Sequence, residues 1–466
     1  MKPILMIDFG STNTKVTAVD LDSETLLGTA AAYTTVQTDV GEGLQEAMTR
    51  LEEKIGKLDF AERYACSSAA GGLKMISSGL VPELTAEAAR QAALGAGAKV
   101  MKVYSYELTE NDAEEIEALR PDIFLLTGGT DGGNKDNIIQ NAQVLAECKA
   151  DFPVVLAGNR TAARACEKIL TEAGRQVIRC ENVMPKFNEL NIGPAQAKIR
   201  EIFLDRIIKA KGLSQASQLI SGIMMPTPAA VLAAMELLSR GTRSEKGLGE
   251  LVAVDVGGAT TDIYSMTDGA PDRAGTILKG LPEPYAKRTV EGDIGMRYSA
   301  AGIAEAVGIP MLSQLSGLTE ERVRTLLAEI TTHTDSLPDT DEKKRLDQAL
   351  ASMAIKVGIT RHAGTVEKVY TPVGEAYVQS GKDLSRVDKI ILTGGSLIHN
   401  EPDTARAIAS HALYDMAQPA SLKPKNAEIL IDTQYILSAM GLLSQYAPDT
   451  ALKIMKKELT SYGTAK

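Results

Sequence analysis

Two short segments carry the residue types that phosphate chemistry requires. An apolar stretch from Ile4 runs into Asp8-Phe9-Gly10-Ser11-Thr12-Asn13-Thr14-Lys15, and another from Leu251 runs into Asp255-Val256-Gly257-Gly258-Ala259-Thr260-Thr261-Asp262. Each reads as a strand ending in Asp, a Gly-containing turn and a second strand, Thr14 to Val19 and Thr260 to Ser265. A glycine two residues after the aspartate lets backbone N–H groups approach an anion, and the flanking hydroxyls add donors. An aspartate beside those donors would repel phosphate by itself. A hydrated divalent cation, Mg²⁺, reconciles the two, because it keeps much of its water shell and prefers oxygen ligands. One Asp-x-Gly turn is commonplace. Two copies, each followed by a further β-turn-β step, point to function. After Val19 come Asp20-Leu21-Asp22-Ser23 and a strand from Leu26 to Thr34; after Met266 come Thr267-Asp268-Gly269 and a segment running towards Leu278. The duplication predicts two related lobes facing each other across a cleft.

A second repeated pattern must be positioned by the same lobes. Asp122 to Leu126 is a buried strand that enters Thr127-Gly128-Gly129-Thr130-Asp131-Gly132-Gly133 and then a helix from Lys135 to Ala150. Lys389 to Leu392 enters Thr393-Gly394-Gly395-Ser396 in the same way. Paired glycines at a strand end let a flat ligand lie against the backbone, and they also serve a tight βα turn that needs Gly only for geometry. Around these lie a strand from Ala61 to Ala65, the turn Cys66 to Gly72, a helix from Thr85 to Gly97 and a strand from Lys99 to Tyr106. Helices are expected at Thr319 to Thr331 and Asp341 to Ala363, and the basic tail from Lys453 to Lys466 reads as a frayed helix end. His362 is expected to be a satisfied structural histidine.

Bulk properties narrow the class. At 466 residues the chain has room for two enlarged α/β lobes. No run of apolar residues is long enough to span a membrane, and a strand follows Met1-Lys2-Pro3 without a signal-peptide pattern, so a cytoplasmic protein is expected. Cys66, Cys148, Cys166 and Cys180 lack CxxC spacing, which argues for buried free thiols. The net charge of −10 and the absence of a basic block argue against nucleic acid. Four histidines without ligand spacing and 4% aromatic residues disfavour a zinc site and a stacking surface for bases or sugars.

The ordered motifs resemble one superfamily, that of actin, Hsp70-type ATPases and sugar kinases. Its first phosphate motif has the form Asp-x-Gly-x-Thr-x-x-Lys, matched by Asp8, Gly10, Thr12 and Lys15. The second is matched by Asp255, Gly257, Gly258, Thr260 and Asp262. Met225-Pro226-Thr227-Pro228-Ala229-Ala230 looks like its first connecting helix, and Ser438-Ala439-Met440-Gly441-Leu442-Leu443 like its second. Leu392-Thr393-Gly394-Gly395-Ser396 is similar to its adenosine motif. All five occur in the right order. The resemblance implies an α/β fold of two duplicated actin-like ATPase (ribonuclease H-like) lobes with a nucleotide cleft between them. The expected division is 1–225, with an inserted α/β segment, and 226–466, with a helical insertion around 319–369.

A narrower resemblance is to the MutL/GlmL family, carried by the opening motif, by Leu126 to Gly133 and by Thr289-Val290-Glu291-Gly292-Asp293-Ile294-Gly295-Met296-Arg297. That family is associated with adenosylcobalamin-dependent glutamate mutase and similar aminomutases, which it is thought to protect or reactivate. The resemblance therefore implies ATP and Mg²⁺ as ligands and an aminomutase as protein partner, with no nucleic acid or membrane partner; homo-oligomerisation is compatible with it. Gly10, Ser11, Thr12, Asn13, Gly257, Gly258, Thr260 and Thr261 would cradle phosphates, and Gly394, Gly395 and Ser396 the adenosine. Asp8, Asp255 or Asp262 would hold hydrated Mg²⁺ or orient the attacking water. Lys15 either offsets phosphate charge or points into solvent. Glu291 and Asp293 admit a competing reading, the catalytic base of a sugar or carboxylic acid kinase. Arg297 and Lys287 would then pair with these acids or anchor nucleotide. An activator of radical dehydratases is disfavoured, since it needs clustered exposed cysteines for an iron–sulfur cluster. A filament protein is the remaining alternative.

Overall fold

The computed structural model describes residues 1–10, 12–34, 40–68, 73–210, 222–372 and 374–465. The chain divides into two compact units. One is Met1–Ala233 with Gly280–Pro282 and Ser438–Tyr446; the other is Ala234–Lys279 with Glu283–Leu437 and Ala447–Lys466.

In the first unit, β1 (Pro3–Phe9) is buried from Ile4 onwards, as befits a central strand. It pairs antiparallel with β2 (Asn13–Asp20), which pairs with β3 (Thr25–Tyr33), while β4 (Glu62–Ser67) lies parallel on its other side. The helix Val40–Ile55 lays Leu44, Ala47 and Leu51, spaced at helical period, against Leu5, Ile7, Phe9 and Val16. The chain then builds a separate parallel sheet from β5 (Lys74–Gly79), β6 (Lys99–Ser105), β7 (Ile123–Leu126), β8 (Val154–Leu156) and β9 (Val177–Arg179), in the order β6-β5-β7-β8-β9. Apolar clusters cover both of its faces, which explains its continuous apolar strands. After the helix Gly193–Ala210, β10 (Gly222–Pro226) returns to the first sheet, parallel to β4.

The second unit repeats the first sheet. Its strands β11 (Leu251–Val256), β12 (Thr261–Met266) and β14 (Ala286–Glu291) are antiparallel neighbours; β17 (Lys389–Thr393) and β18 (Ala427–Ile431) follow parallel to β11, and β19 (Thr460–Ala465) adds an antiparallel edge. Counted from their own first strands, both sheets read 3-2-1-4-5. This is the ribonuclease H-like arrangement, present twice, as in actin-like ATPases. Helices at Ala300–Val307, Ile309–Ser316, Glu320–Thr332 and Asp341–His362 intervene between β14 and β17. Thr319 and Thr340 cap the last two, each hydroxyl accepting a backbone N–H three residues on.

Two expectations are corrected. The third strand of the second repeat is Ala286–Glu291, not the segment approaching Leu278. Pro271, Pro282 and Pro284 interrupt the ladder there, and β13 (Ile277–Lys279) pairs instead with β16 (Gly374–Ser380), itself paired with β15 (Thr365–Thr371). The basic tail is not a frayed helix. Its helix ends at Glu458, and Thr460–Ala465, rich in residues that suit a pleated strand, forms β19. Among the described residues no helix is long and apolar enough to cross a membrane.

Candidate functional site

Asp8 is buried near the end of β1, and its carboxylate is held from several directions. Oδ1 accepts from the Thr227 hydroxyl at 2.6 Å, and Oδ2 accepts from the Ser438 hydroxyl at 2.9 Å. Lys15, directly opposite in the β1–β2 register, brings Nζ to 3.9 Å of Oδ2. Lys15 therefore sits beside Asp8 rather than pointing into solvent. Thr227 opens the helix Thr227–Arg240 and Ser438 lies in the first turn of Leu437–Ser444, so two positive helix ends face the same carboxylate. The helices cross closely: a Cβ on Gly441 would stand 1.8 Å from the carbonyl oxygen of Ala230. The motifs read as connecting helices thus supply the bonds that fix Asp8. Their hydroxyls were not singled out in the sequence, although Thr and Ser at helix starts were the available signal. Beside them, burial and the Asp8 charge push the Cys66 thiol well above its ordinary value.

The two Asp-Gly turns close in the same way. The Gly10 N–H donates to the Asn13 carbonyl at 3.1 Å, and the Gly257 N–H donates to the Thr260 carbonyl at 2.9 Å. A Cβ at either glycine would meet that same oxygen, at 2.5 and 2.8 Å. Glycine is thus required by the turn, and its own N–H closes the hairpin. The second turn shows where donors remain. The Gly257 carbonyl accepts from Met296 N–H, that of Gly258 from the N–H groups of Arg297 and Tyr298, and that of Ala259 from the Ser299 hydroxyl. In planar trans peptides each N–H points opposite to the preceding carbonyl. The N–H groups of Gly258, Ala259 and Thr260 are therefore directed away from residues 296–299, and form a cluster suited to an anion. Gly295 makes this backing possible, since a Cβ there would lie 2.4 Å from the Ala259 carbonyl carbon. In the first turn, Ser11 lies outside the described residues, Thr12 is half-buried with its carbonyl accepting from Thr34 N–H at 2.8 Å, and Asn13 is exposed.

Asp255 occupies in β11 the place of Asp8 in β1. Its cross-strand neighbour is Asp262, where the first sheet has Lys15, and its parallel neighbour is Thr393, where the first sheet has Cys66. Asp255 is half-buried, whereas Asp262 is buried against Arg288 of β14, with Nη2 at 2.6 Å and Nε at 2.8 Å from Oδ1; the Thr260 hydroxyl reaches its Oδ2 at 3.3 Å. Arg288 is itself buried; burial opposes its charge, but Asp262 outweighs that and keeps it firmly protonated. Thr261 is buried beneath the turn.

Glu291, the last residue of β14, and Asp293, in the turn beyond it, are both bound by Arg361 of the helix Asp341–His362, at 2.8 Å each. Arg297 and Lys287 do not meet them. Arg297 pairs with Asp347 at 2.6 Å and Lys287 with Glu283 at 2.9 Å. Burial raises the Glu291 carboxyl above its usual range against the pull of Arg361, while the Arg361 hydrogen bond lowers that of Asp293. Next to them His362 is buried, with Nδ1 2.7 Å from the Thr289 hydroxyl and Nε2 2.8 Å from that of Ser265, a structural role.

At the end of β17 the two glycines differ. Gly394 has φ 116° and a Cβ would meet the Val256 carbonyl oxygen at 2.4 Å, so it is needed for packing on β11. Gly395 opens the short helix Gly395–Ile398, and a Cβ there would touch nothing within 4 Å. Ser396 is half-buried and its carbonyl accepts from Asn400 at 2.6 Å. Thr393 donates to buried Asp432 at 3.3 Å, whose carboxylate also accepts the N–H groups of Ile436 and Leu437.

A duplicated ribonuclease H-like fold, with an aspartate at the end of each first strand and a Gly-closed hairpin after it, defines an actin-like ATPase class. The sequence matches the MutL protein family over residues 4–459 and is 49% identical over 461 residues to Protein MutL of Clostridium tetanomorphum, across 98% of this chain and 99% of that protein. The chain belongs to the MutL family. Among solved structures it is similar to the activator of 2-hydroxyisocaproyl-CoA dehydratase from Clostridium difficile with bound ADPNP, at 10% identity, 98% coverage of both chains and TM-score 0.33. It is also similar to xylulose kinase from Bifidobacterium adolescentis, at 12% identity, 100% and 96% coverage and TM-score 0.33. Likeness at this level defines no activity.

Proposed function

We propose that this protein binds and hydrolyses Mg-ATP through its two Asp-Gly hairpins and uses the cycle to protect or reactivate an adenosylcobalamin-dependent aminomutase such as glutamate mutase. The observation that supports the nucleotide part is the identical closure of the Gly10 and Gly257 turns on corresponding strands. The N–H groups of Gly258, Ala259 and Thr260 receive phosphate oxygens, and Gly395 leaves room for the adenosine. Mg²⁺ neutralises phosphate charge, and half-buried Asp255 is the better placed of the two strand-end aspartates to hold its waters. Asp8, whose carboxylate is fixed by Thr227 and Ser438, is the other aspartate of this reading that holds the hydrated metal through water. The client reading rests on membership of the MutL family and on what that family is associated with. A kinase reading would need Glu291 or Asp293 as a base, and Arg361 engages both.

The test is ATP hydrolysis by the purified protein, alone and with a cobalamin-inactivated aminomutase, with mutase recovery followed in the same sample. Recovery that needs ATP and fails with Asp255→Ala supports the proposal. Full ATP turnover in both Asp8→Ala and Asp255→Ala removes the phosphate site, and phosphate transfer to a small hydroxylated compound moves the protein to the kinases.

A further inference from the structure

The helix that brings Ser438 to Asp8 is seated by one buried carboxylate. Asp432 is the first residue beyond β18, is 1% exposed, and donates its own N–H to the Leu392 carbonyl of β17 at 3.0 Å. Its Oδ1 accepts the Ile436 N–H at 2.9 Å, and Oδ2 accepts the Leu437 N–H at 3.2 Å and the Thr393 hydroxyl at 3.3 Å. Its carbonyl accepts from Tyr435 N–H at 3.1 Å. The turn closed in this way holds Tyr435 at φ 57°, in the left-handed region that a bulky side chain avoids. Such conformations persist only where the surroundings over-determine them, and they concentrate where position matters to function.

A carboxylate that accepts the free N–H groups of a helix start is ordinary by itself. What lies on either side of this one is not. Towards β17 it takes the hydroxyl of Thr393, the register neighbour of Asp255. On the helix Leu437–Ser444, the residue after Leu437 is Ser438, whose buried hydroxyl donates to Asp8 Oδ2 at 2.9 Å. The first sheet has a counterpart. Thr227, the first residue beyond β10, lies 3.7 Å from the sulfur of Cys66, the register neighbour of Asp8, and donates directly to Asp8. There the helix starts straight after the fifth strand. In the second sheet a turn intervenes, and Asp432 spans it. Contact between Gly441 and the Ala230 carbonyl leaves the helix no slack, so the level at which Asp432 holds its first turn is the level at which Ser438 meets Asp8.

We infer that Asp432 is a positioning residue for Mg-ATP turnover: by holding the start of the helix Leu437–Ser444 it sets the Ser438 hydroxyl on Asp8. Its effect on turnover rests on the nucleotide reading above; its effect on the Ser438–Asp8 bond does not.

The test is a double-mutant cycle. Asp432→Asn keeps an acceptor for the helix N–H groups and removes the charge. It is expected to lower kcat for Mg-ATP about tenfold, the scale of a lost supporting interaction, with KM for ATP unchanged, and Ser438→Ala to do the same. The double variant turns over no more slowly than the slower single one, because both changes act on the same bond. Thr393→Val, which removes one donor to Asp432, shows the same split to a smaller degree and replaces Asp432→Asn if that variant does not fold. A purely structural cap would lower the urea midpoint and leave kcat of the folded protein at the wild-type value; that result overturns the inference, as do losses that multiply in the double variant. Urea midpoints without nucleotide give a reading that needs no ATPase. The shifts of Asp432→Asn and Ser438→Ala are expected to be less than additive with Asp8 present and additive in an Asp8→Ala background. Absence of any ATP turnover in the wild type removes the preceding proposal alone, and additive midpoint shifts with Asp8 intact then overturn this one.

Discussion

The Thr227 hydroxyl donates to Asp8 across 219 positions of sequence, at 2.6 Å, and fixes the carboxylate that ends the first hairpin's leading strand. A hydrogen bond to a buried charged group is worth about 1.5–3 kcal/mol. Thr227→Val is therefore expected to lower stability by about that amount, seen in the urea midpoint, and to reduce ATP turnover. Thr227→Ser, which keeps the donor, restores most of both.

Asp262 and Asp255 are expected to separate stability from activity. Asp262→Asn leaves buried Arg288 without its counter-charge, and breaking a buried pair costs about 3–5 kcal/mol. Asp255→Asn removes a half-buried carboxylate and is expected to cost less stability while abolishing Mg-ATP turnover. Thermal unfolding beside ATPase assays distinguishes them; equal stability losses would contradict the assignment.

Adjacent glycines at the end of β17 offer a second separation. Gly394→Ala forces a Cβ into the Val256 carbonyl and a left-handed backbone, and overpacking of that kind costs about 1–3 kcal/mol. Gly395→Ala has open space and folds normally, so any weakening of ATP binding reports on the ligand. Denaturation midpoints and nucleotide titrations check both.

Lys382 gives the second unit a pH dependence. Burial pulls its ammonium down from 10.5 to about 7, against the attraction of Glu283, while Nζ donates to the Tyr285 carbonyl at 2.7 Å. The unfolded chain binds the extra proton between about 7 and 10.5, so stability rises with pH across that window. Lys382→Met, measured by urea unfolding at several pH values, should flatten this rise. An unchanged slope would show that Lys382 stays charged when buried.

Much of this protein was legible because its signals are local. Apolar strands that end in Asp, the glycine two residues later and the helices expected from Thr319 and from Asp341 each follow from backbone sterics, periodicity and hydrogen bonding within a few residues. The duplication followed from finding such a signal twice, and the order of the motifs carried the fold. What tertiary structure alone decided concerns partners far apart in the chain. Arg361, not Arg297 or Lys287, meets Glu291 and Asp293; Ser438 reaches Asp8 from 430 residues away; the third strand of the second repeat starts at Ala286; and the last residues form an edge strand. Charge and hydropathy patterns specify that a carboxylate needs a donor or a strand a neighbour, but many residues satisfy that need equally. Only the packing of sheets and helices selects which one arrives.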